Sequence, residues 1–107
     1  MKTSLKIIEF YNNLEKVSSD NKVEVLDPYK NPEVKEIYNS FYSKFFNDND
    51  KRIILFGINP GRFGGGITGI PFTDPYNLFK YCGIESKFDR KKELSSKFIY
   101  DMINSYG

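Results

Sequence analysis

The sequence predicts an α/β fold, and three observations carry this prediction. Ile53–Phe56 is a continuous apolar run, typical of a parallel strand that is covered on both faces. Segments with helical spacing of apolar residues alternate with the strand candidates along the chain. A loop rich in glycine and proline, Asn59–Pro75, follows the clearest strand, at the position where ligands bind in open α/β sheets.

The elements follow from local signals. Asn31 and Pro32 are typical of a helix N-terminus, Gly83 of a helix end, and Ser95 or Ser96 is expected to cap the last helix. The expected elements are a helix over Lys2–Val17, a strand over Val23–Leu26, a helix from Pro32 to about Phe46, a strand over Arg52–Ile58, a helix over Tyr76–Cys82, an irregular loop over Ile84–Leu94 and a helix to about Tyr106.

The helix faces predict which side chains are buried. The apolar face of the second helix is Val34, Ile37, Tyr38, Phe41, Tyr42 and Phe45, and that of the last helix is Phe98, Ile99, Met102 and Ile103. Tyr76, Phe79 and Cys82 are also expected in the core.

Only two strands are convincing, whereas an open parallel sheet needs about four. The apolar strand Ile53–Phe56 also requires a neighbour on each side. We therefore expect residues 1–107 to be the N-terminal portion of a single larger domain.

Composition excludes several classes of site. The chain has no histidine, which excludes serine–histidine and cysteine–histidine nucleophiles within it. Its single cysteine, Cys82, excludes an internal disulfide framework and a multi-cysteine zinc site. No apolar run approaches the roughly 20 residues of a membrane span, and Met1–Phe10 has no signal-peptide core, so the cytoplasm is the expected location.

Charge is unevenly distributed although the net charge is only +2. The stretch Lys80–Lys97 contains six basic and three acidic residues, whereas Asp20–Asp50 is acidic overall. The basic stretch can face phosphates, or it can be an ordinary solvated surface of mixed charge.

Two common glycine motifs fail within the loop. Gly64–Gly69 matches GxGxxG, but a dinucleotide site needs a helix directly after the glycines, and Pro71 follows instead, so we expect no helix there. A phosphate-binding loop of the Walker type needs Gly-Lys-Ser/Thr, which is absent.

The complete loop contains Gly57-Ile58-Asn59-Pro60-Gly61, Phe63-Gly64 and Thr68-Gly69-Ile70-Pro71-Phe72. With this spacing it resembles motif one of the uracil-DNA glycosylase superfamily, and within it the single-strand-selective monofunctional branch and its bacterial relatives. Arg62 departs from the proline expected in the vertebrate branch. The resemblance covers residues 50–107 well, and it implies a three-layer α/β/α sandwich with a central parallel sheet.

The resemblance also implies roles for single residues. Asn59 would position the attacking water, and Phe72 would stack on a flipped uracil. Backbone N–H groups near Ile58, Gly61 and Phe63 would line the base pocket. Gly64 and Arg62 are the candidate DNA contacts, although Arg62 departs from the family pattern and can equally be a solvated surface residue. The implied partner is DNA, preferentially single-stranded or lesion-containing, and no metal or organic cofactor is implied.

The family's later histidine motif is missing from this chain. We therefore expect a fragment of a uracil-removing repair enzyme that is inactive and prone to association when isolated. One alternative is a non-catalytic domain that binds nucleic acid or nucleotides through the glycine-rich loop. Another is a structural half-domain that pairs with a second chain.

Overall fold

The computed structural model describes residues 2–15, 28–57 and 61–106. The helices in these ranges are α1 (Thr3–Asn12), a short 3₁₀ helix (Pro28–Lys30), α2 (Pro32–Phe45), α3 (Gly65–Thr68), α4 (Pro75–Cys82) and α5 (Leu94–Tyr106). No residue of the described ranges is in a β-strand. None of these helices has the length and apolar composition needed to cross a bilayer.

Helix α2 is the centre of the core. It begins as predicted, because the Asn31 side chain accepts a hydrogen bond of 2.9 Å from the Glu33 N–H and Pro32 occupies the first turn. Helices α1 and α3 both contact it, and the contact with α1 is the more extensive. The buried apolar side chains are Val34, Ile37, Tyr38 and Tyr42 of α2 together with Ile70, Leu78 and Cys82.

Stacked tyrosines connect α1 and α2 to the glycine-rich loop. The ring of Tyr11 stacks on the ring of Tyr29 with 4.5 Å between their centroids. The Tyr29 hydroxyl donates to the Gly69 carbonyl at 3.0 Å. Tyr29 therefore connects the glycine-rich loop to Tyr11 of α1.

The predicted strand over Arg52–Ile58 is not formed in the described residues. Residues 51–57 belong to no regular element, and Ile53 and Phe56 are 80% and 90% exposed. A strand exists only where its backbone groups pair with a neighbouring strand, and the described part of the chain offers no such neighbour. Ile58 and the predicted strand Val23–Leu26 lie outside the described residues.

Two helix boundaries differ from the prediction, and one helix was not expected. Helix α1 ends at Asn12, earlier than Val17, because two consecutive asparagines are poor helix formers. Helix α5 begins at Leu94, so neither Ser95 nor Ser96 caps it. The expectation that no helix opens at the glycines is also wrong, since α3 forms one turn over Gly65–Thr68, with Gly69 as its C-cap.

Helix α5 does not bury the apolar face that its spacing predicts. Phe98 is 68% exposed, and Met102 and Ile103 are also exposed, while Ser96 is fully buried. The helix contacts α4 through Ser96 and Tyr100. Ile99, next to them on the helix surface, is the partly buried member of the predicted apolar face. On α4, Cys82 is buried as predicted, but Phe79 is 37% exposed and Tyr76 half-buried.

Two glycines with left-handed backbone provide a matched test of packing. A Cβ at Gly69 (φ 76°) would lie 2.7 Å from Val34 Cγ1, whereas one at Gly83 (φ 68°) would meet only the flexible end of Lys44. We expect Gly69→Ala to lower the free energy of unfolding by about 2–4 kcal/mol, because backbone strain and overpacking add. Gly83→Ala should lower the free energy of unfolding by about 1 kcal/mol, because only the left-handed backbone is strained there. Urea unfolding measures both, and equal losses would contradict this explanation.

Candidate active site

The glycine-rich loop folds tightly on itself. The Gly61 carbonyl accepts hydrogen bonds from the N–H groups of Gly64 (3.2 Å) and Gly66 (2.8 Å). Helix α3 follows directly, and Gly69 ends it in the left-handed region. This fold leaves a concave backbone surface at Gly61 and Gly64.

Phe72 has the strained backbone that marks many functional positions. Its φ is 58°, and it is the only residue other than glycine with positive φ in the described ranges. Such a conformation costs about 1–3 kcal/mol and persists only where the surroundings impose it. The half-buried ring lies against Gly57, where an added Cβ would approach its Cζ to 2.8 Å.

Thr68 and Thr73 impose this conformation. The buried Thr68 hydroxyl donates to the Thr73 carbonyl at 2.8 Å and accepts from the Ile70 N–H at 3.0 Å. The hydroxyls of Thr73 and Tyr100 lie 2.7 Å apart. Burial raises the pKa of Tyr100 far above its usual value, so this hydroxyl stays protonated. Hydrogen bonds of Thr68 and Thr73 therefore hold the turn that carries Phe72.

The carboxylate of Glu93 occupies the concave surface of the loop. Its Oε1 accepts a hydrogen bond of 3.1 Å from the Phe63 N–H. A Cβ added at Gly61 or Gly64 would collide with this carboxylate. Backbone N–H groups in a glycine-rich turn attract anions, so Glu93 lies where a bound anion would be stabilised.

A buried polar network holds the backbone of Glu93 in place. The fully buried Asp74 carboxylate accepts from the Glu93 N–H at 2.6 Å, from the Asn77 N–H at 2.7 Å and from the Asn77 side chain at 3.1 Å. Ser96 Oγ accepts from the Asp74 N–H at 3.1 Å and from Asn77 Nδ2 at 3.0 Å. Asp74 is thus both the N-cap of α4 and the anchor of the segment that precedes α5.

These parts surround an open cavity of about 430 Å³. That volume lies within the usual range for small-molecule sites. The cavity is lined by Tyr29, Leu55, Phe56, Gly57, Gly61, Gly65, Pro71, Phe72, Glu93 and Ser95. An aromatic ring and a glycine-rich backbone therefore meet at one opening, which is an arrangement suited to a flat, polar-edged ligand.

The predicted site residues are only partly brought together. Gly61 and Phe72 line the cavity, and Gly64 is buried beneath Glu93. Phe63 presents its N–H to Glu93 and its ring to the outside, and Arg62 is exposed. Ile58 and Asn59 lie outside the described residues.

Of the cavity residues that the sequence did not predict, Glu93 and Tyr29 make the most informative contacts. Glu93 lies 30 residues after Phe63, and no local pattern connects them. Tyr29 lies 40 residues before Gly69, to which it donates its hydroxyl. Asp74, by contrast, precedes a proline at the start of a helix, and this pattern indicates an N-cap. Cys82 is buried, and this burial raises the pKa of its thiol, which disfavours the reactive thiolate.

Among solved structures, the chain is similar to the wild-type SMUG2 of Pedobacter heparinus. The TM-score is 0.88, the sequence identity is 41%, and the match covers 100% of this chain. The chain resembles SMUG-like proteins of the uracil-DNA glycosylase superfamily. The resemblance predicted from the loop motif is thereby confirmed.

The match to SMUG2 covers 47% of the SMUG2 chain, so the present sequence spans about half of that length. The fold matches the α/β fold of SMUG2, although the central parallel sheet is not seen in the described residues. No protein-family model and no curated protein matches the chain.

Proposed function

We propose that the protein is a base-flipping, monofunctional glycosylase that hydrolyses the N-glycosidic bond of uracil, or of a related pyrimidine lesion, in DNA. One observation carries this proposal. Phe72, in a strained backbone conformation, lines a cavity with the glycine-rich loop, in a chain 41% identical to part of SMUG2. This combination is suited to holding one extruded base.

The reaction places different demands on different residues. Breaking the bond develops positive charge on the sugar and negative charge on the departing base. Asn59 positions the water, since a strongly electrophilic sugar needs an oriented water more than a strong base. Phe72 stacks on the flipped base, and backbone N–H groups near Ile58, Gly61 and Phe63 stabilise its oxygens. For this the base must displace the Glu93 carboxylate, which accepts from the Phe63 N–H in this structure. No metal or organic cofactor takes part in this scheme.

We also propose that residues 1–107 are the N-terminal portion of the catalytic domain. The chain contains no histidine to support the leaving uracil, and it spans about half of SMUG2. The exposed apolar residues of 53–56 and the exposed Phe98 fit a domain with further elements packed over them. The isolated 107-residue chain is accordingly inactive and prone to association.

The direct test uses the intact protein and a single-stranded oligonucleotide with one uracil, in the presence of a metal chelator. We expect uracil release and an alkali-labile abasic site, with no cleavage of a matched oligonucleotide that carries thymine instead. Tight binding of the uracil oligonucleotide without release would favour the non-catalytic binding domain. Release that stops in chelator would contradict the cofactor-free mechanism.

A further inference from the structure

A strip of basic residues lies over aromatic rings beside the candidate active site. We call it the cation–aromatic surface, and its members are Phe63, Tyr76, Phe79, Lys80, Arg90, Lys91 and Lys92. The rings come from the glycine-rich loop and from α4, and three of the cations are consecutive in the segment before α5. The segment therefore lies across both elements.

Each of the three consecutive cations lies over a different aromatic ring. The distances to the ring centroids are 3.8 Å from Arg90 Cζ to Phe79, 4.6 Å from Lys91 Nζ to Phe63 and 4.3 Å from Lys92 Nζ to Tyr76. Lys80 Nζ adds a fourth cation, 5.8 Å from Tyr76. These distances are within the range of cation–π attraction.

The charges of this surface are open to a partner. Arg90, Lys91 and Lys92 are exposed and form no salt bridge with any residue of the described ranges. The carboxylates near this surface are Asp89, which directly precedes Arg90, Glu93, which accepts from the Phe63 N–H, and Asp101, which pairs with Lys97 at 2.7 Å. The four cations of the surface outnumber them. The surface as a whole is therefore positive, and an anionic partner complements it.

The surface is continuous with the Phe72 cavity. A second cleft of about 310 Å³ includes Tyr76, Lys80, Lys92 and Lys97 among its lining residues, and it shares Glu93 with the first cavity. A strand whose base enters the Phe72 cavity would have its next nucleotides at this cleft.

We propose that the cation–aromatic surface binds the nucleotides that flank the target base in single-stranded DNA, an inference that rests on the proposed function. Phosphates attract the cations away from the rings, and the freed ring faces stack on bases. Proteins that bind single strands combine these same two components, a positive track and aromatic platforms. Phe63 and Phe79, with exposed fractions of 44% and 37%, are the most accessible platforms.

The charge component is tested on undamaged DNA, so that excision plays no part. A labelled thymidine 12-mer is titrated with the intact protein at several salt concentrations, and binding is followed by fluorescence anisotropy. We expect the triple variant Arg90→Ala, Lys91→Ala, Lys92→Ala to bind at least tenfold more weakly at low salt. The slope of log affinity against log salt should fall by about 2, since each phosphate contact contributes about 0.7.

A matched triple variant controls for net charge. Lys6→Ala, Lys35→Ala and Lys51→Ala remove three exposed lysines from elsewhere on the chain and should leave affinity within about twofold. For the stacking component, Phe79→Ala should weaken binding at least fivefold, while Phe10→Ala on α1 should not. Thermal unfolding followed by circular dichroism must show that each variant is folded.

The outcomes separate this inference from the proposed function. Unchanged affinity in the first triple variant, in a protein that still releases uracil, would overturn the inference alone. Equal binding of a blunt duplex, or tenfold tighter binding of a uridine 12-mer RNA, would overturn the assignment to single-stranded DNA. Variant-sensitive binding without any uracil release would support the surface and contradict the glycosylase.

Discussion

Asn59→Ala in the intact protein should lower the rate of uracil release by about 100-fold or more while leaving DNA affinity nearly unchanged. The side chain is proposed to act on the attacking water, whose position matters in the transition state and not in the bound ground state. Removing one preorganised polar group from an active site typically costs about 10²–10³ in rate. Single-turnover kinetics measure the rate, and an uncleavable substrate analogue measures the affinity.

Phe72→Ala is the informative comparison for this prediction. Its ring is proposed to stack on the flipped base, so its loss should weaken capture of uracil-containing DNA by about 1–3 kcal/mol. The two variants therefore affect different quantities. If Asn59→Ala lost DNA affinity and rate equally, Asn59 would not have the proposed catalytic role. If Phe72→Ala bound uracil-containing DNA as well as the unaltered protein does, the ring would be a packing residue.

Asp74→Ala should produce the largest loss of stability, about 3–5 kcal/mol in the free energy of unfolding. The buried carboxylate accepts from two groups of Asn77 and from the Glu93 N–H. Each buried donor that loses its partner costs about 1–3 kcal/mol. Because the Glu93 backbone is released as well, the glycine-rich loop should lose the carboxylate that covers Gly61 and Gly64. Urea unfolding with linear extrapolation gives the value.

The exposed cap of α2 is the control for the buried cap of α4. Asn31 and Asp74 both cap a helix whose first residue is proline, but Asn31 is exposed and caps only the Glu33 N–H. We expect Asn31→Ala to lower the free energy of unfolding by about 1 kcal/mol. If the two alanine variants were equally destabilised, the Asp74 network would contribute nothing beyond ordinary capping.

The structure also explains why the predicted sheet could not be located from sequence alone. The apolar run at 53–56 satisfies every local rule for a buried strand, yet its side chains are exposed here. Local composition indicates what a segment can do, whereas a strand also needs partners that supply backbone hydrogen bonds. The exposed apolar side of α5 has the same explanation, because amphipathic spacing does not specify which neighbour covers the helix.

What the sequence by itself determined were the features that depend on neighbouring residues. Asn31-Pro32 placed the start of α2, and Gly83 placed the end of α4, because capping groups act within one turn. The glycine-rich loop and its resemblance to uracil-DNA glycosylases were equally readable, since the motif is contiguous.

Only the tertiary structure decided which distant groups complete the site. Glu93 reaches Phe63 across 30 residues, Ser96 reaches Asp74 across 22, and three cations align over rings from other elements. In the sequence these residues are an ordinary charged stretch and a serine pair. Their roles arise because α5 packs on α4 and brings the segment before it against the loop, and such long-range packing has no local sequence signal.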